Sequence, residues 1–170
     1  QMLLSLTLGS KVTYYTDAAA ALADAMLDKN NGCTVKLLKS VDGTVKLTPS
    51  HAEQTERTAF TLDLNGYDFG DYNSYIYLQN VDMTVKTSAA RNRWTTFYPM
   101  IHFYKNASLT CPAVDADTIL TLDTISFTGD KGTNTISLGE GIRLNNFVRP
   151  NDGMTLGELL GEGLVFREYD

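Results

Sequence analysis

The sequence predicts an all-β fold, a right-handed parallel β-helix or closely similar β-solenoid, with a short helix near each end. Two observations predict the coils. From residue 33 onward apolar and polar residues alternate with a period of two, as in Cys33, Val35 and Leu37 or Phe60, Leu62 and Leu64, the pattern of strands with one buried face. A bent pair of strands then recurs. Ile76, Leu78, Val81 and Met83 have the apolar spacing of Leu120, Leu122, Ile125 and Phe127, while Ile101, Phe103, Ala107 and Leu109 match Ile136, Leu138, Ile142 and Leu144. A β-sandwich gives short strands but no reason to repeat one bent pair. A solenoid must turn at the same place in every coil. A third observation predicts the ends: helix-forming segments at about 17–29 and 155–161 flank the repeats, where exposed terminal coils need covering.

Taken in order, "KVTYYT" reads as a short strand. "DAAAALADAMLDKNNG" reads as a helix, with Asp17 as N-cap and Asn30-Asn31-Gly32 as its stop. Leu22, Met26 and neighbouring alanines give it one apolar face. A strand follows at 33–37, then a turn at Asp42-Gly43, a strand at 45–47, a polar loop, and the strand at 60–65.

The four bent pairs have corners at Gln79-Asn80, Tyr104-Lys105-Asn106, Asp123-Thr124 and Gly139-Glu140-Gly141. Their starts at 76, 101, 120 and 136 predict a loose period of 16 to 25 residues, so that about six coils fit the chain. Residues 87–100 are expected to project as a loop. At the end, Thr155 and Glu158 fit a capping box, with Leu156, Leu159 and Leu160 on a short helix. The whole chain, 1–170, reads as one solenoid domain, and from its start at Gln1 it is expected to be a piece of a longer polypeptide.

Composition narrows the function. Of the 170 residues 43% are hydrophobic and 20% charged, with a net charge of −6 and no cluster of Lys or Arg. That suits a packed core and repels phosphate backbones, so nucleic acid is not an expected partner. The most apolar run, "AAAALADAML", contains Asp24 and is too short to span a bilayer, so membrane insertion is not expected. Cys33 and Cys111 sit in alternating strands and read as small buried hydrophobes, and the sequence leaves a disulfide between them open. No C-x-x-C occurs and His51 and His102 are isolated, so neither a metal nor another cofactor is expected.

The pieces "YYTDAAAALADAM", "GCTVKLLKSV", "FTLDLNGYDF" and "MTLGELLGEGLVFREYD" together resemble a module of large surface proteins of Gram-positive and gut bacteria. That family looks like right-handed parallel β-helices of the pectin-lyase-like type. The resemblance implies a stalk or adhesive part of a long extracellular or cell-surface chain, packed against neighbouring modules of the same polypeptide. Its motifs are structural ones and cover most of the chain.

Pectin-lyase-like β-helices also include polysaccharide lyases and glycosidases, so a small carbohydrate-active enzyme is the alternative. Hydrolases need two carboxylates at a set separation, and Asp63, Asp82 and Asp123 are the candidates. Asp and Asn at coil corners equally satisfy turn backbone, and for Asp63 and Asn65 that reading is preferred. No nucleophile motif such as G-x-S-x-G is present. His102 is expected to be a surface or groove residue, and Asp115, Asp117, Asp130 and Asn134 to be solvated turn residues rather than a calcium site. The sequon Asn106-Ala107-Ser108 carries no expectation in a bacterial chain.

The reading is therefore a non-catalytic module, with binding to a host glycan or matrix protein centred on "RNRWTTFYPM". Arg91, Arg93, Trp94, Phe97 and Tyr98, with Tyr104 beyond them, are the candidate contacts, because aromatics stack on sugar faces and anchor protein interfaces. The competing view folds this segment down to cover the coil stack. A β-sandwich carbohydrate-binding domain would keep the binding function and change the fold.

Overall fold

The computed structural model describes residues 1–48, 56–88, 94–127 and 133–148. The chain opens with a hairpin, β1 (Leu4–Leu8) and β2 (Lys11–Tyr15), turning at Gly9 with φ +60°. Helix α1 (Ala18–Ala25) follows, and Asp17 caps it as expected by accepting the Ala19 amide at 3.1 Å. The predicted helix is shorter than 17–29: it stops near Met26, and Asp28–Asn30 form a separate 3-10 turn. The rest is stacked coil: β3 (Cys33–Leu37), β4 (Lys46–Leu47), β5 (Thr58–Asp63), β6 (Tyr75–Lys86), β7 (Trp94–Cys111), β8 (Ile119–Phe127), β9 (Thr135–Leu138) and β10 (Ile142–Val148).

β3 pairs antiparallel with β1, and the pairings among β3 to β10 are all parallel, as a solenoid requires. The pairings define three faces that the chain visits in turn. On face I, Cys33, Phe60, Met83, Leu109 and Ile136 stand in register. On face II the column is Val41, Phe69, Phe97, Leu122 and Leu144. On face III it is Leu47, Ile76, Ile101, Ile125 and Phe147. Most of these side chains are fully buried and form one continuous core. Each face thus has five rungs among the described residues, not six.

The columns correct the predicted period. Successive rungs are 22 to 29 residues apart, not 16 to 25. Units 76–83 and 101–109 are true neighbours, both crossing from face III to face I. Their one-residue difference in spacing is a bulge after Leu78. Unit 120–127 instead crosses from face II to III, and 136–144 from I to II. All three corners bend an apolar strand pair at nearly the same spacing, so spacing alone confused them. Asn65, Asn80 and Asn106 mark corners with φ of 51°, 53° and 50°, a left-handed backbone that Asn tolerates better than other non-glycine residues.

Two further expectations change. Residues 94–100 do not project as a loop: they lie in β7, on faces II and III. The predicted helix at 155–161 lies outside the described residues, as does His51. At the opposite end the helix does what was expected of it. Ala18, Ala21, Leu22, Ala25 and Met26 are buried over the first coil, against β1, β3 and β4. Among the described residues no helix is long and apolar enough to cross a membrane.

Candidate ligand-binding surface

The fold separates the residues that the sequence grouped. Alternation along β7 turns Phe97 inward, where it is 0% exposed and stacked on Phe69, ring centroids 5.3 Å apart and 6° from parallel. It is a core residue, and its ring offers nothing to an outside ligand. Trp94, three residues earlier, faces out of face II and is 63% exposed. Tyr98 sits at the corner between faces II and III, half-buried, with its ring edge-on to Tyr72 at 4.9 Å. Burial and the nearby Asp68 push its phenol pKa up. Tyr104 is exposed at the next corner, with Lys105 Nζ 5.8 Å from its ring. Arg91 and Arg93 lie outside the described residues.

Trp94 has surroundings that the sequence did not indicate. It pairs with Ile119 on the next rung, and the Arg143 guanidinium lies 5.7 Å from its ring centroid. A cation over an indole face is the strongest form of this contact. Ile119 and Arg143 also line a cavity of about 290 Å³, with Asp115, Thr118, Glu140 and Gly141 among its other walls. The segment 112–118 forms one wall because the coil beneath it has glycines. A Cβ on Gly139 would come within 2.2 Å of the Ala113 nitrogen, and one on Gly141 within 2.6 Å of Val114 Cγ2. Across the same segment a second cavity of about 270 Å³ is lined by Lys86, Thr87, Ser88 and Asp115. The sequence could have pointed to Arg143 only through the true coil register, which sets it two rungs from Trp94's strand.

Three of the other outward rings are committed to one another. Tyr77 and His102 occupy neighbouring rungs and stack at 4.4 Å and 9°, and Tyr75 meets Tyr77 edge-on at 5.8 Å. Rings that stack along the coil axis cover each other's faces and leave edges to solvent. Burial lowers the His102 pKa, so the ring is neutral at pH 7. Trp94 is therefore the better-placed outward ring for a planar ligand.

The candidate carboxylates are also occupied. Asp63 is buried. It accepts hydrogen bonds from the amides of Asn65 (2.9 Å) and Ser88 (3.0 Å) and from the Ser88 hydroxyl. It closes a corner, as its sequence context suggested. Asp82 is held by Arg57 through both oxygens, at 2.7 and 3.0 Å, and by the Ser108 hydroxyl. The Arg57 bond is the main cause of its lowered pKa. Asp123 accepts from Thr124 and Asn145. Between coils, Asn106 donates to the Asn80 side-chain oxygen at 3.1 Å, and Asn134 accepts the Ala107 amide at 3.2 Å. Among the described residues no three His, Cys, Asp or Glu side chains are grouped to hold a metal.

Cys33 and Cys111 are buried free thiols on face I. Register places them three rungs apart, roughly 14 Å at the usual strand spacing, twice what a disulfide spans. No protein-family model, curated protein or solved structure matches the chain.

Proposed function

We propose that the chain is a non-catalytic structural and adhesive module of an extracellular or cell-surface bacterial protein. It joins neighbouring modules of the same polypeptide and contacts a host glycan or matrix protein at the Trp94 corner. The observation that carries this reading is how the outward polar side chains are used. Asp63, Asp82, Asn80, Asn106 and Asn134 hydrogen-bond from one coil to another or within a corner, which is what a spacer needs and leaves these groups little capacity for chemistry. The resemblance to pectin-lyase-like surface modules supports the same role.

The adhesive part rests on Trp94, with Arg143 behind its ring and a cavity beside it lined by Asp115, Thr118 and Glu140. A sugar stacks an apolar ring face on an indole and directs its hydroxyls to such neighbours. A glycan and matrix-protein array tests this. Signal that disappears in Trp94→Ala and persists in Tyr104→Ala is the expected result. Binding indifferent to Trp94 would remove the proposed contact, and product release from uronic-acid polymers or mucin glycans would replace the reading by an enzymatic one.

A further inference from the structure

The sheet ends, on its N-terminal side, in an edge strand that has the attributes of a peptide-docking site. Strand β2 is last in the strand order and, among the described residues, pairs with β1 alone. The hairpin has a two-residue loop, so Leu8 and Lys11 form its first hydrogen-bonded pair, and Leu6–Thr13 and Leu4–Tyr15 follow. The alternation then aims the amides and carbonyls of Val12 and Tyr14 away from β1, along the open edge. The side chains of the same two residues are 45% and 56% exposed. Both are β-formers that a merely protective edge strand avoids.

Directly inside that edge lies a cavity of about 360 Å³, with Leu6, Leu8, Thr13 and Tyr15 contributing from the hairpin. Lys11 and Lys29 also line it, and among the described residues neither forms an ion pair. Asp24, the acid in the wall, accepts the Tyr15 hydroxyl at 2.8 Å. The cavity thus combines an apolar floor with two cations, in a chain whose net charge is −6.

We propose that β2 accepts an extended acidic peptide segment of another protein as an added strand. Its main chain pairs with Val12 and Tyr14, alternate apolar side chains enter the cavity, and a carboxylate meets Lys11 or Lys29. Main-chain bonds supply affinity in this mode, and the pocket and charges supply selectivity. The partner continues the ladder that β1 and β2 already form. The proposal is independent of the Trp94 reading.

The test uses a synthetic peptide of about six residues, alternating valine and threonine, with a glutamate at each end. Its binding is followed by fluorescence anisotropy and by protection of the Val12 and Tyr14 amides from exchange. The acidic probe should bind, and a version with lysines in place of glutamates about tenfold more weakly. Lys11→Glu with Lys29→Glu should invert that order. Val12→Pro, at an outward amide, should abolish binding while the circular dichroism spectrum is kept. A probe N-methylated at alternate amides should fail against the unaltered chain, a control that needs no protein variant. The proposal is overturned if no strand peptide binds, if binding survives both N-methylation and Val12→Pro, or if sedimentation shows this edge closed by a second copy that Val12→Pro releases.

Discussion

Phe97 and Trp94 lie three residues apart in one strand, and the structure gives them opposite roles that substitution can separate. Phe97 is fully buried in the face II column, between Phe69 and Leu122, and stacked flat on Phe69. Truncation to Ala removes the transfer energy of the ring and leaves a cavity that neighbouring rungs cannot close, about 3–5 kcal/mol. Part of that, about 0.5–1.5 kcal/mol, belongs to ring stacking, so Phe97→Leu should lose mainly this share. For a chain of this size each kcal/mol moves the melting temperature by about 2–4 °C. Phe97→Ala should therefore melt roughly 6–20 °C below the parent chain. Trp94→Ala loses an exposed cation–π contact, about 0.5–1 kcal/mol, and should melt within about 4 °C of the parent. Thermal scans of the three variants beside the parent provide the measurement. A Phe97→Ala chain that melts within about 2 °C of the parent would refute the inward assignment, and with it the register of face II.

Four further outcomes follow from the corners and the buried titratable groups. Asp63→Ala removes the charged acceptor of two part-buried amide hydrogen bonds and should cost about 2–4 kcal/mol by urea denaturation, and Asp63→Asn, which keeps an acceptor, less. Gly139→Ala sets a methyl group against the Ala113 backbone and should destabilise by about 1–3 kcal/mol, whereas Asn106→Gly, at a left-handed φ, should fold with a smaller penalty than Asn106→Ala. His102 has a folded pKa below its unfolded value near 6.5, so the unfolded chain takes up its proton first. Stability should thus fall as pH drops through about 6.5, and Phe at position 102 should flatten that part of a urea-midpoint profile. The Tyr15 pKa is raised to about 12 by burial and by Asp24, so its stabilisation should be intact below pH about 10 and lost between there and about 12, a base-sensitive step that Tyr15→Phe should remove.

How much was legible in the sequence depended on whether the signal was local. The Asp17 cap, the β3 and β5 alternation and the corners at Asn80 and Asn106 are decided within a few residues, and they stand where the sequence put them. Coil register is not local: it depends on which rung lies beneath which, across 22 to 29 residues. Three kinds of corner share two nearly equal apolar spacings, so the repeat was counted wrongly, and the step after residue 83 was filled with a loop instead of a strand. Phe97 was grouped with Trp94 for the same reason. In a loop both could face a ligand, whereas in a strand the period of two must send them to opposite sides. The β1 strand has no counterpart among the predicted elements although "LSLTL" alternates and Gly9-Ser10 supplies a hairpin turn. Arg143 beside Trp94 was out of reach without the register.

The register also explains why the candidate surface sits where it does. The core columns fix the residues that must be apolar on each face, so the coil can change length only at its corners. The corner between faces I and II varies in length: Leu38 to Ser40 suffices in the first coil, and residues 112–118 are used in the fourth. That longer segment is accommodated because Gly139 and Gly141 remove the side chains beneath it. The space it creates is bounded by Asp115 and Thr118 from the segment itself and by Glu140 and Arg143 from the coil below. A stack that spends its other outward polar groups on holding coils together can vary this corner at little cost to the core. The corner that carries Trp94 is accordingly one where binding can change while the scaffold is kept.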